Sequence, residues 1–528
     1  MFTLSVWHVL KEGVLDKLSG ILFYLSIAGF AITAIGLYGQ DQLSAITLFR
    51  DIIGLAGVSM FFMFVKENKI LAVGSLIALG SAMPLMYQYL MDEHEKRPGV
   101  EKQVQVQDQV QMQDQDQVQD QISSSTEEEV LRIDDNSELL IELNKGFSLS
   151  SIQSVVDDYD LKVERAFQPT DHEETDLDDY YSINIPTDQE GKLDDIITDL
   201  NAKRAIEWVE LNEIYELSPI ESTKEKIKLP TKKYAVNDPL VNQKWEYAPM
   251  ELNQFYEYIK KNKIKAKKKA KLFILDTGVD GQHEDLKGQF KSFDANSSKD
   301  DVGHGTHCAG IAASVSNNNI GISSLVPDNK FVEVSGIKVL SGFGFGTQKM
   351  IIDGMIKAID SGADVISMSL GGKSTQQREK AYTEVVEYAK KHNVIVVTAA
   401  GNSAKDASLY CPANSAGVIA VAAVDQSLNR TSFSNTLQHI KFGLAAPGKD
   451  ILSTYPNNEY KNFSGTSMAA PYVSGTIAVL RSIHPTITTE EAFQLLDQTG
   501  MTTAEPYKTG NFIQPYKAVK KLHEQLKK

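Results

Sequence analysis

The chain changes its apolar rhythm twice along its length, and each rhythm predicts a different kind of element. Ile21–Tyr38 and Ile70–Leu90 contain no charged residue. Apolar runs of about 20 residues have the length of a bilayer-crossing helix. Pro84 inside the second run is compatible with that, because membrane helices tolerate proline. Between the two, Ile52–Val65 is apolar but short, and extending it back to Leu43 brings in Arg50 and Asp51. Residues 1–98 therefore read as a membrane anchor of two to three transmembrane helices, with a lipid bilayer as partner.

Further along, the period falls to that of a small mixed domain. Leu139–Leu143 is strand-like, and Ser148 is placed to cap a helix whose one face carries Leu149, Ile152, Val155 and Tyr159. Leu161–Phe167 and then Tyr181, Ile183 and Ile185 alternate as strands do. Leu193, Ile196, Ile197 and Leu200 have helical spacing, and Ile206–Leu217 is strand again. This is the β-α-β-β-α-β order of a ferredoxin-like α+β domain, expected over 137–221. Residues 99–136 are a low-complexity linker, with glutamine at every second position from Gln103 to Gln121. Such a segment cannot build a packed core. A second linker is expected over 222–233, and 234–528 reads as an ordinary globular domain.

Charge narrows the function. A net charge of −16 argues against nucleic acid as the partner. Two cysteines, Cys308 and Cys411, exclude a disulfide-built scaffold. With three spans, Lys11, Lys17, Lys66 and Lys69 share one side and Arg50, Lys96 and Arg97 the other. That slight excess predicts a multi-pass protein of the cell membrane with its C-terminal domain outside the cytoplasm.

Three blocks in the last region carry chemistry. Leu272–Leu275 is a short apolar run ending at Asp276-Thr277-Gly278. Gly303-His304-Gly305-Thr306-His307-Cys308 follows, and last comes Gly465-Thr466-Ser467-Met468-Ala469-Ala470-Pro471. A serine hydroxyl needs a base to remove its proton. An imidazole supplies it near neutrality, and a carboxylate on its other nitrogen fixes the tautomer. Asp276, His304 and Ser467 suit those roles, and Asn402, after the strand-like Asn393–Ala400, suits the donor to a developing oxyanion. His304 and His307 lack the further ligands that a metal site requires.

Taken together and in this order, the blocks resemble the subtilisin-like serine protease family, in its Cys-containing branch that reads His-Gly-Thr-His-Cys. The resemblance covers 234–528. It implies an α/β fold with a mostly parallel sheet flanked by helices. It also implies a serine endopeptidase that acts through an acyl-enzyme on extended polypeptide substrates. It assigns the triad to Asp276, His304 and Ser467, and the oxyanion amide to Asn402. His307 becomes a structural histidine, and Cys308 a thiol beside the catalytic one. Ser369, Leu370 and Gly371 match one substrate edge. Gly344 and Gly346, within Ser341–Gly346, match the other. Ala399, Ala400 and Gly401 match a pocket with an apolar preference. A structural Ca2+ is implied at Asp238, Asp285 and Asn318, with carbonyls of Val315, Ile320 and Ile322. The domain over 137–221 resembles the family's inhibitory propeptide, so the chain's own propeptide is a further partner and self-processing between about Leu217 and Asn237 is expected. The contrasting reading is an inert, anchored binding module on the same fold.

Overall fold

The computed structural model describes residues 133–217, 220–221, 234–374 and 379–528. The chain divides into two compact units, 1–126 and 127–528, and every described residue belongs to the second. The expected anchor, the glutamine-rich linker and the linker at 222–233 lie outside the described residues. Among the described residues no helix is long and apolar enough to cross a membrane.

The N-terminal part of this unit has strands β1 (Leu139–Leu143), β2 (Lys162–Arg165), β3 (Tyr180–Asn184) and β4 (Ile206–Leu211), with helices α1 (Gln153–Asp158) and α2 (Leu193–Asn201). The strands form one sheet in the order β2-β3-β1-β4, all pairs antiparallel. All five residues of β1 are buried, which a strand covered on one face could not show. Leu139, Ile141 and Leu143 pack with Ile196 and Leu200 of α2. Leu140 points the other way, into a core shared with Ile351, Met355 and Tyr382 of the following domain. Successive strand side chains face opposite sides, so one strand serves two cores.

Two details differ from the sequence expectation. Ser148 makes no side-chain cap; a 3-10 turn, Leu149–Ile152, precedes α1, and the Ser148 hydroxyl meets Ser150 Oγ at 2.8 Å. Ile206–Leu217 is not one strand. It breaks after β4 and resumes as β5 (Ile214–Glu216) in another sheet. Asn212 drives the break: its side chain donates to Ser137 O at 2.8 Å and accepts from Lys349 N at 3.1 Å, stitching the chain to the next domain.

Beyond β5 comes the short β6 (Ile220–Glu221), and then the larger domain. Its central sheet has seven strands, all parallel where paired. They are β7 (Ala270–Asp276), β8 (Val332–Lys338), β10 (Val365–Met368), β12 (Ile395–Ala399), β14 (Ile419–Val424), β15 (Gly443–Pro447) and β18 (Asn511–Phe512). Smaller sheets hold β9 (Phe345–Thr347), β11 (Gly372–Lys373), β13 (Tyr410–Cys411), β16 (Ile451–Tyr455) and β17 (Glu459–Ser464). The central strands read as continuous apolar runs because helices cover both faces. The helices that matter here are α3 (His304–Ala313), α4 (Gln348–Asp360), α5 (Glu379–Lys391) and α6 (Thr466–Ile483). Every residue of α6 is buried, so it runs through the core rather than over it. Gly475 lets α6 close on α3, since a Cβ there would lie 2.6 Å from Ala312 O.

Candidate active site

The sheet order places β7 between β8 and β10, although β8 follows it in sequence and β10 comes later. The chain thus leaves β7 to one side and returns on the other. In open α/β sheets ligand sites gather at such switch points, beyond the carboxyl ends of the strands. Asp276 ends β7, Ser369 follows β10, and Asn402 follows β12, so all three emerge at that edge.

Asp276 and His304 are buried, and His304 Nδ1 lies 2.8 and 2.9 Å from the two Asp276 oxygens. Asp276 Oδ1 also accepts from Thr277 N at 2.7 Å. Burial disfavours the His304 imidazolium, but the Asp276 carboxylate outweighs it and raises the imidazole well above its ordinary range. His304 Nε2 is buried and has no hydrogen-bond partner. Ser467 is the second residue of α6 and 8% exposed; its hydroxyl donates to Ser369 O at 3.1 Å. Ser369 Oγ returns a bond to Ser467 O at 2.8 Å. Cys308, one turn along α3, bridges the parts: Sγ sits 4.0 Å from His304 Nδ1 and 3.5 Å from Ser467 O. Burial pushes its thiol up, so it stays protonated.

Asn402 Oδ1 accepts from Thr466 N and Thr466 Oγ1, both at 2.9 Å. This turns Nδ2 toward Gly465, whose hypothetical Cβ would lie 3.4 Å from it. The N–H of Ser467 belongs to the first turn of α6, whose donors have no acceptor within the helix. The arrangement offers a hydroxyl, a carboxylate-bound imidazole and amide donors within one small volume.

Two residues that the sequence reading did not single out build this site. Asp300 Oδ1 accepts from Thr277 Oγ1 at 2.8 Å and Gly303 N at 2.8 Å, and Oδ2 from Thr306 N at 2.8 Å. It therefore fixes the turn after Asp276 and the start of α3 at once. Asn435 donates to Ala400 O at 2.9 Å and accepts from Ser403 N at 3.1 Å and Lys405 N at 2.9 Å, ordering the loop that carries Asn402. The signal available for Asp300 was an acidic residue just ahead of a helix start; Asn435 had none. His307 stacks on Phe463 at 4.6 Å, and burial pushes it down to about 3, so it remains neutral.

The proposed substrate edges lie beside these groups. A Cβ on Gly346 would sit 2.3 Å from Val339 O, and Gly344 has φ +82, so both positions require glycine. β9 is paired antiparallel with β5 of the chain itself, Tyr215 opposite Gly346, and Leu217 N donates to Gly344 O at 3.0 Å. β6 pairs with β17, Ile220 opposite Ser464, three residues before Ser467. Gly372, just past Gly371, would bring a Cβ within 2.3 Å of the Tyr215 ring. Leu370 and Ala399 are nearly buried, and Ala400 packs with Ala407, Ala420 and Leu437 rather than lining a pocket.

Asp238 and Asp285 are buried against the loop of Asn317–Ile322. Asp238 accepts from Asn317 N at 2.9 Å and Asn318 N at 3.1 Å. Asp285 accepts from Asn318 Nδ2 at 2.7 Å and Ile322 N at 2.8 Å. Val315 N donates to Asp285 O at 2.8 Å, and Ile320 N to Asn318 Oδ1 at 2.8 Å. Burial pushes Asp285 up to about 7, and the charge of Asp238 adds to it. Asp285 Oδ2 accepts a second bond from Tyr460 Oη at 3.4 Å. Two buried acids beside a tightly turned loop fit the chemistry of a hard divalent cation.

The parallel sheet, the buried helix bearing Ser467 and the Asp276–His304 pair are the parts that a hydrolase of the serine type would use. The comparisons give its family. The model of the subtilase family matches residues 267–522. Thermitase of Thermoactinomyces vulgaris is 39% identical over 254 residues, covering 47% of this chain and 86% of that protein. Subtilisin DY of Bacillus licheniformis is 37% identical over 263 residues, 48% of this chain and 92% of the relative. The major intracellular serine protease of Bacillus subtilis (strain 168) is 42% identical over 241 residues, 43% and 71% respectively. The chain belongs to the subtilase family and is a subtilisin-like serine protease, an endopeptidase acting on polypeptides.

Proposed function

We propose that Asp276, His304 and Ser467 act as the catalytic triad, with Asn402 as oxyanion donor, in a membrane-anchored precursor that inhibits and processes itself. The observation that carries the reading is His304, bound to Asp276 through Nδ1 with Nε2 left unpartnered beside the helix of Ser467. Turning the Ser467 side chain from Ser369 O toward Nε2 completes the relay. Ser467 Oγ then attacks the scissile carbonyl carbon while its proton passes to Nε2. The carbonyl oxygen becomes an oxyanion held by Asn402 Nδ2 and the Ser467 N–H. Asp276 stabilises the imidazolium, which gives its proton to the departing amine. Water then attacks the acyl carbon and gives a proton to His304 Nε2, and that proton passes to Ser467 Oγ as the ester bond breaks and the acid leaves.

Substrate lies extended between Gly344–Gly346 and Ser369–Gly371, gaining affinity from main-chain pairing, with Ala399 and Gly401 beside it. The chain's own β5 already follows this route along β9, which supports the reading of 137–221 as an inhibitory propeptide. Asp238, Asp285 and Asn318, with the carbonyls of Val315, Ile320 and Ile322, would hold Ca2+, which would supply charge balance to the loop. The apolar runs within 1–98 support the anchor, and the lysine bias supports an extracytoplasmic protease domain. A serine-directed fluorophosphonate tests the catalytic reading. It should label Ser467 in the processed enzyme and leave the Ser467→Ala chain unlabelled. Self-processing is tested by N-terminal sequencing of the active form; an isolated Ser467→Ala chain that still splits between the two domains excludes it.

A further inference from the structure

The N-terminal domain meets the protease through a face that carries more acid than base. On β1 and β4, Glu142 sits opposite Trp208, and Glu210 opposite Leu140. These positions share one face of the sheet, and both glutamates are nearly buried. α4 and α5 of the protease cover them. Gln348, at the start of α4, donates to Glu210 Oε1 at 3.3 Å, while Glu210 Oε2 has no hydrogen-bond partner. From α5, Lys380 lies 2.7 Å from Glu142 and 3.3 Å from Glu207, so its one charge is already shared. Glu384 on α5 and Tyr180 on β3 also act on this cluster. Around one ammonium there are thus four carboxyl groups: Glu142, Glu207, Glu210 and Glu384.

We infer that docking of the N-terminal domain onto the protease is proton-linked: the Glu142–Glu210 cluster takes up a proton on docking, and the grip loosens as pH rises. The inference deepens the self-inhibition reading and rests on it. Burial pushes Glu210 up to about 8 in the docked state, with Glu142 adding to the effect and Trp208, Gln348 and Lys380 opposing it. Glu142 and Glu384 are also raised, again chiefly by burial. In the undocked domain Glu210 faces water and titrates near the ordinary value of about 4.3. A group raised on docking favours the docked form below its free value. That advantage drains as pH climbs to the docked value. A second contact has the same sign. His392 Nε2 lies 2.7 Å from Asp171 Oδ2, with Glu174, Tyr388, Asp360 and Lys391 nearby. Burial lowers that imidazole, but Asp171 outweighs it and leaves it raised, so it too loses its proton and its partner as pH rises.

The test uses the full-length Ser467→Ala chain, which cannot cut itself. Hydrogen exchange is followed at the amides joining β5 to β9, corrected for the intrinsic pH dependence of exchange. Between pH 6 and 8 the opening constant should rise about 10-fold per pH unit for one linked proton. Adding Glu210→Gln should lessen that slope to the part His392 supplies, and adding Asp195→Asn, exposed on α2 over the opposite face of the sheet, should leave it. If Glu210→Gln fails to fold, Glu142→Gln replaces it and should lessen the slope. An equal slope with and without the Glu210 or Glu142 change, or tightening as pH rises, overturns the inference. Because this readout reports docking alone, it is separate from the labelling of Ser467 that tests catalysis.

Discussion

The Ser467 hydroxyl donates to the carbonyl oxygen of Ser369 at 3.1 Å, while the buried Nε2 of His304 has no partner. In this state, with β5 paired to β9 and β6 to β17, nucleophile and base are not engaged. Removing the chain through Glu221 should free both edges and let the hydroxyl swing to His304. The rate of fluorophosphonate labelling at Ser467 should then rise at least about 10-fold, the equivalent of 1.4 kcal/mol. Equal rates in precursor and processed enzyme would show that the segment does not restrain the site.

His304 owes its raised basicity to Asp276, against burial. The sign for activity follows directly. Below the imidazole's pKa the ring is already protonated and cannot accept the Ser467 proton, so kcat/KM falls on the acid side. In Asp276→Asn the raising influence is gone, and the acid limb should move to lower pH. The pH-independent plateau should drop by about 10⁴, the loss expected when the imidazole loses its orienting carboxylate. A pH–rate profile of both proteins checks the two effects together. A lowered plateau with an unmoved limb would mean that Asp276 orients the ring without tuning it.

Asn402 is held through Oδ1 by Thr466, leaving Nδ2 as the donor. Asn402→Ala should lower kcat by about 10²–10³ with KM little changed, because the amide meets charge that exists only in the transition state. The accompanying loss of stability should be about 1 kcal/mol, read from denaturant unfolding, since the bonds to Thr466 are also lost. A rise in KM at constant kcat would instead make Asn402 a substrate-binding group.

Much of this was legible in the sequence, for reasons that differ by residue. Leu272–Leu275 announces a buried parallel strand because both its faces are covered, and its end places Asp276. The glycines at 344 and 346 were visible as a pattern because no other residue fits there. What stayed hidden depends on the third dimension. Asp300 works through Thr277, Gly303 and Thr306, which carry no sign of a shared carboxylate. Asn212 and Asn435 break or order loops by bonds across distant segments. The split of Ile206–Leu217 is likewise invisible in an apolar pattern, since both halves are strands and only their partners differ. Within the lysine-rich stretch 260–271, Lys268 pairs with Asp364 at 2.8 Å and Lys271 Nζ reaches Ser361 O at 2.9 Å, partners that a run of lysines does not announce.

The loop at Asp285 gives a prediction whose sign depends on the ion. Burial and the neighbouring Asp238 push Asp285 up to about 7, above its ordinary carboxylate range. With chelator present, the protonated form suits the fold. The stability that Asp285 contributes is then complete below its unfolded value near 3.9 and is lost as pH rises through 7. With Ca2+ bound the ionised form is the ligand, and the ion couples to deprotonation, so stability should grow over the same interval. Thermal unfolding of the processed enzyme between pH 4 and 8 should therefore give diverging curves. Tm should fall with pH in excess chelator and rise, or fall far less, in millimolar Ca2+. In Asp285→Asn the two curves should lie closer together, since the titrating ligand is gone. Parallel curves in the unaltered protein would remove calcium from this loop and leave two acids buried for the hydrogen bonds they accept.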